Sequence, residues 1–170
     1  MIKNWLKTHR KQVTVHGVIL FCYVLYVVFL ADPLFDKFDT QEVIPGEAKP
    51  VQLTIPDETG DIRYWVDLFD VGTRQIEVMG WAFIYGHSSD NTDIYLILKS
   101  KVNTYAFKAV SQLKPGITKV YQELGLNLDW SGFYCIIPLR KLELGKYRLG
   151  LYITKGDIQA LRYTDKEFVK

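Results

Sequence analysis

The chain has 170 residues, 24% of them charged and 14% aromatic, enough for one domain of ordinary size plus an appendage. That aromatic content excludes a wholly disordered chain, because such chains cannot bury large rings and are poor in them. The formal charge of +2 is unevenly spread: four Lys/Arg and no acid precede residue 32, leaving 17 basic against 19 acidic residues, a balance that excludes a general nucleic-acid binder.

Residues 1–12 form a basic arm containing Lys3, Lys7, Arg10 and Lys11, with Trp5 among them. The next stretch, "VTVHGVILFCYVLYVVFLA" (Val13–Ala31), is apolar apart from Thr14, His16 and Gly17 near its charged end. As a helix, its nineteen residues would span about 28 Å at ~1.5 Å each, close to the ~30 Å of a bilayer's hydrocarbon. His16 is expected at the headgroups. A cleaved signal peptide fits less well, because Phe29 stands two residues before Ala31 and Pro33 follows at once. The expectation is an uncleaved single-pass anchor. Basic residues lie before it and Asp32, Asp36, Asp39 and Glu42 after it, so the N-terminus is expected in the cytoplasm and the C-terminal part outside.

"DPLFDKFDTQEVIPGEAKP" (Asp32–Pro50) has three prolines and no sustained period and reads as a stalk, with Leu34, Phe35 and Phe38 as apolar exceptions. From residue 51 to 170 the pattern changes to period two. The expected strands are "VQLTI", "IRYWVDLF", "RQIEVMGWAFIY", "DIYLILKS", "NTYAFKAV", "GFYCIIPLR", "KYRLGLYIT" and "IQALRYT". "ITKVYQELG" suits one short helix or turn, and Pro138 places its strand at an edge or at a bulge. The fold class expected is all-β: an antiparallel sandwich of about eight strands, immunoglobulin-like or jelly-roll, preceded by one N-terminal transmembrane helix. Cys22 and Cys135 are too far separated in kind, one in the anchor and one in a strand, to form a disulfide framework.

Two stretches carry candidate site residues. "GHSSDNTD" (Gly86–Asp93) is rich in turn formers, and Gly, Ser, Asp and Asn need no ligand to explain them there. It also offers His87, Asp90, Asn91 and Asp93 as polar contacts. Its spacing is not that of a calcium loop, and His87 has no Cys or second His nearby, so no metal is expected. "LNLDWSGFY" supplies Asn127, Asp129, Trp130 and Tyr134, a mixture of polar reach and flat rings that suits sugar binding. An aromatic face of Tyr95, Tyr105, Tyr134 and Tyr152 invites the same reading, although tyrosine is an ordinary strand residue. Alternation makes Trp81 a core or inter-sheet residue.

The series "VMGWAFI", "YLILKS", "LKPGITKVY", "WSGFYCIIPL" and "LGKYRLGLYI" resembles a β-sandwich module of bacterial envelope proteins, found beside or fused to glycosyltransferases and polysaccharide assembly proteins. The likeness covers about residues 74–155. Its second element is Lys114-Pro115-Gly116-Ile117 here, without the arginine and aspartate of the module's pattern, so no role of those charges carries over. The resemblance implies an extracytoplasmic accessory function and no catalytic residues. Consistently, no nucleophile elbow, Cys-His pair, zinc-protease motif or phosphate loop is present, and neither an enzyme nor a cofactor is expected. The expected partners are the lipid bilayer through residues 13–31 and either a glycan or a membrane protein of an envelope complex. A non-catalytic interacting subunit is the alternative, with a small glycan hydrolase or transferase behind it.

Overall fold

The computed structural model describes residues 20–26, 46–59 and 61–170. The chain divides into two units, Met1–Ile44 and Pro45–Lys170. In the first, residues 20–26 are α-helical, and their apolar side chains, among them Leu20, Phe21 and Tyr23, are exposed. The rest of the expected anchor, the basic arm and most of the stalk lie outside the described residues. Among the described residues no helix is long and apolar enough to cross a membrane.

The second unit contains nine strands: β1 (Pro50–Val51), β2 (Ile62–Val71), β3 (Gln75–Ile84), β4 (Asp93–Lys99), β5 (Thr104–Lys108), β6 (Val110–Gln112), β7 (Gly132–Pro138), β8 (Lys146–Lys155) and β9 (Ile158–Val169). They build two antiparallel sheets in the orders β1-β5-β4-β8-β9 and β2-β3-β7-β6. The all-β sandwich class expected from the alternation is therefore observed. Apart from β1, which adds to the edge of β5, each sheet is two antiparallel pairs joined through their inner strands, and successive pairs alternate between the sheets.

The core is what period two predicts. Ile76, Val78, Ala82 and Ile84 of β3 meet Phe133, Cys135 and Ile137 of β7 and Tyr147, Leu149, Leu151 and Ile153 of β8, all buried in one cluster. Burial pushes the Cys135 thiol up to about 12, so it stays neutral and behaves as a small hydrophobe. Tyr147 stacks on Phe168 at 5.4 Å and closes the end of this core.

Four sequence expectations change. "VQLTI" forms a strand only at Pro50–Val51. Beyond it the chain crosses the outer face of the five-stranded sheet: Leu53 and Ile55 pack against Ile97, Ala106, Tyr152 and Leu161, and Thr59 N–H donates to Leu161 O at 2.9 Å. Its alternation serves packing rather than a ladder. "NTYAFKAV" is two strands, because the chain changes sheets at Ala109: Lys108 pairs with Tyr95, whereas Val110 pairs with Tyr134. Of the two places expected for Trp81, it takes a core one but not between the sheets. It lies with Phe83 on the outer face of the four-stranded sheet, beneath the excursion 113–131. The four tyrosines do not form one face: Tyr95 and Tyr152 pair at 5.8 Å, but Tyr105 turns to Tyr147 in the core at 6.1 Å, and Tyr134 belongs to the other sheet. Pro138 ends β7 where β6, paired only with Gly132–Tyr134, no longer reaches. The missing N–H there breaks no ladder bond to β6.

Candidate functional site

The excursion between β6 and β7 supplies one wall of the candidate site. It consists of a helical turn, Ile117–Val120, then a 3-10 turn, Gln122–Leu124, and a second one, Asp129–Ser131. Gly116 and Gly125 hold φ of 100° and 63°, the left-handed region in which glycine alone is unstrained, and so permit the two reversals. Ile117 and Leu128 are buried against Phe83, with Trp81, Tyr121, Leu124 and Leu126 around them. Tyr121 meets Phe83 edge-on at 5.0 Å and Trp81 at 6.0 Å. This satellite core fastens the excursion to the sheet, a role for Trp81 that strand alternation does not reveal.

Asn127 then clips the excursion to the β3–β4 loop. Its main-chain oxygen accepts from Ser89 N–H at 2.9 Å and from Ser89 Oγ at 3.3 Å. Its Nδ2 donates to Asp90 Oδ1 at 3.0 Å, and its Oδ1 accepts from the Asp129 N–H at 3.2 Å. Thr118 locks the other side: its Oγ1 accepts from Leu128 N–H at 2.8 Å, and its own N–H donates to Asp129 Oδ1 at 3.3 Å. Beside this network lies an open groove of about 670 Å³ lined by Gly116, Thr118, Lys119, Gln122, Asn127 and Asp129, among others. Trp130 is 48% exposed next to it in sequence.

The β3–β4 loop is itself stapled from a third direction. Lys155, at the end of β8, donates from Nζ to Ser88 O (2.9 Å), Ser88 Oγ (2.7 Å) and Asp90 O (2.7 Å). An ammonium thus occupies the oxygen cage that the "SSDN" sequence would otherwise offer to a hard cation. Asn91 adopts φ 54° to close the turn. Replacing Lys155 by Met strands these oxygens. It is expected to lower stability by ~1–2 kcal/mol, the lower part of the range for charged hydrogen bonds because the group is half-exposed. Chemical denaturation of Lys155→Met beside the wild-type chain measures this, and equal midpoints would show the staple to be ornamental.

Of the residues singled out from sequence, Asp90, Asn127 and Asp129 come together in one hydrogen-bonded system. His87 stands in the same loop, its N–H donating to Ile84 O at 3.1 Å. Asp93 does not join them: it pairs with Lys108 at 2.9 Å on the other sheet, a hydrogen bond that holds Lys108 above the usual lysine range. Tyr134 is also elsewhere, donating to Glu77 Oε2 at 3.3 Å. Its phenol is raised, first by burial and then by the Glu77 charge. Thr118, Lys119, Gln122 and Lys155 were missed. For Lys155 the sequence carries no signal, because a lysine at the end of a strand does not say which loop it reaches. Among the described residues, no group of three or more His, Cys, Asp or Glu side chains is placed to hold a metal ion. Lys3, Lys7, Arg10 and Lys11 lie outside the described residues.

No protein-family model, curated protein or solved structure matches this chain. The groove beside Asn127 has a mixed polar character. It holds hydrogen-bond donors and acceptors of both charges, flat apolar surface nearby, and no nucleophile–base pair.

Proposed function

We propose that this chain is a membrane-anchored, extracytoplasmic accessory protein whose sandwich binds glycan, or assists a cell-envelope complex that synthesises or exports polysaccharide. The observation that carries the binding reading is the Asn127–Asp90 clip. It joins the two polar stretches, far apart in sequence, into one surface beside a groove of saccharide-compatible polarity. Trp130 supplies the exposed ring that a pyranose face would cover. The anchor reading rests on the charge asymmetry about residues 13–31 and is supported by the helical, all-apolar run at 20–26. Within the all-β class we favour the immunoglobulin-like form over the jelly-roll. If β2, β3, β4, β5, β6, β7, β8 and β9 are read as A, B, C, C′, D, E, F and G, the sheets become A-B-E-D and C′-C-F-G. The likeness to envelope modules supports the same reading through Gly80-Trp81-Ala82 in β3 and Gly145-Lys146-Tyr147 at β8.

The test uses the full chain in mild detergent on an array of envelope glycans. Binding is expected, weakened at least about tenfold, ~1.4 kcal/mol, by Trp130→Ala. Protease added to intact cells is expected to remove the C-terminal unit. No glycan binding, together with unchanged surface polymer in a deletion strain, would overturn the reading. Co-purification of a membrane protein in that case would favour the interacting-subunit alternative.

A further inference from the structure

On the side of the sandwich away from β5 and β6, the two sheets end in long edge strands, β2 and β9, and among the described residues Thr59 and Glu58 cap β9 only at Leu161 and Tyr163. Ile62, Tyr64, Trp65 and Val66 of β2 face Arg162, Asp165 and Lys166 of β9 across a groove of about 430 Å³ that Arg63 also lines. This size lies within the ~300–1,000 Å³ of small-ligand sites.

In β2 the inward positions Ile62, Tyr64 and Val66 pack on the core. Trp65 occupies the outward phase, where alternation calls for a polar residue, and is 62% exposed. Its neighbour across β3 is Trp81, which the excursion covers, so Trp65 is the member of the pair left with a bare face. Arg63, also outward, lies over the Tyr85 ring at 5.0 Å. Arg162 lies over Tyr64 at 5.7 Å and reaches Ile62 O at 3.5 Å, which makes it part of the groove wall. A guanidinium held by a ring keeps its edge donors available for a planar carboxylate. Counting Lys166, whose Nζ stands 3.9 Å from Asp165 Oδ2 in a loose, solvent-exposed pair that a ligand carboxylate would compete with, three cations and one carboxylate line the groove. In an antiparallel pair alternate residues turn their main-chain groups outward. Tyr85 N–H bonds Asp61 O on the β3 side, so the main-chain groups of Tyr64 face the open edge and add a donor and an acceptor.

We infer that this groove is a second binding site, specific for an acidic saccharide: a pyranose face covers Trp65 and its carboxylate is held by Arg63 and Lys166. The inference rests on the glycan reading above but uses different residues. A concave site between two strand edges, rather than a protruding aromatic tip, separates it from a lipid-headgroup contact.

Calorimetry on the full chain in zwitterionic nanodiscs tests it, with hexagalacturonate as probe, maltohexaose as the uncharged control, and phosphatidylglycerol vesicles as a third titrant. Hexagalacturonate is expected to bind at least tenfold more tightly than maltohexaose. Trp65→Ala should weaken it tenfold or more and Trp65→Phe less. Arg63→Gln with Lys166→Gln should weaken it tenfold and flatten its salt dependence. Leu144→Ala, at an exposed residue that lines neither groove, should leave it unchanged. Trp65 is largely exposed, so these variants should unfold at the wild-type midpoint, checked by circular dichroism. Equal affinity for both hexamers, or affinity untouched by the Trp65 and Arg63 changes, overturns this site while leaving glycan binding standing. Loss only in Trp130→Ala assigns the binding to the loop groove and likewise overturns it. Association with the vesicles but with neither hexamer makes the site a lipid contact and defeats the saccharide assignment, while the glycan reading of the loop groove stands or falls with the array.

Discussion

Gly80→Ala is expected to destabilise the sandwich by at least ~3 kcal/mol, beyond the usual range for a single added methyl in a core. A β-carbon at Gly80 would stand 2.2 Å from Trp65 O, 3.0 Å from Phe133 Cζ and 3.1 Å from Val66 Cα. Two of these three are main-chain atoms, and Gly80 lies on the inner strand β3 between Val66 and Phe133, so neither side has room to yield. A register shift lies one residue further along β2, between Val66 and Leu68. Gly145→Ala is the control, since its added carbon would meet only Tyr147 Cε2 at 3.8 Å, an ordinary contact. Thermal unfolding of both variants in the same micelles decides the matter: a Gly80→Ala midpoint within about 3 °C of wild type, under ~1 kcal/mol, refutes the close approach.

Phe83→Ala is expected to cost ~3–4 kcal/mol, spent mainly in releasing the excursion. Phe83 is 1% exposed and is the centre of the satellite core. Trp81 stacks on one side of it at 5.9 Å, Tyr121 meets its edge, and Ile117 and Leu128 close over it. The principal core lies on the opposite face of the same strand and keeps Ile76, Val78, Ala82 and Ile84. Amides of residues 117–128 should therefore exchange with deuterium far faster in the variant, while β4 and β8 stay protected. The glycan binding proposed for the Asn127 groove should fall with them. Unchanged protection of 117–128 would mean that the Asn127 and Thr118 hydrogen bonds alone hold the excursion, and would falsify the role given to Phe83.

Much of this protein is set by local pattern. Side chains alternate across a strand, so "YRLGLYIT" declares both a strand and its buried face before any partner is known, whereas "IEVMGWAFI", apolar on both faces, declares only a strand. Charge about residues 13–31 and the turn chemistry of "GHSSDNTD" are equally local, and Asp90, Asn127 and Asp129 were legible as polar residues on loops. What the sequence could not express is which strand lies beside which and which face finds a second cover. The change of sheets at Ala109 leaves no mark, because Lys108 and Val110 continue one alternating run while pairing with strands in different sheets. Trp65 and Trp81 occupy the same phase of neighbouring strands, yet one is covered by the excursion and the other is bare. Lys155 sits in an unremarkable hairpin end until the fold brings it to the carbonyls of Ser88 and Asp90, 65 or more residues away in sequence. Period and charge act over a few residues and are written along the chain. Sheet pairing and loop-to-loop hydrogen bonds join distant residues, and only the closed sandwich chooses among the many pairings that the same alternation permits.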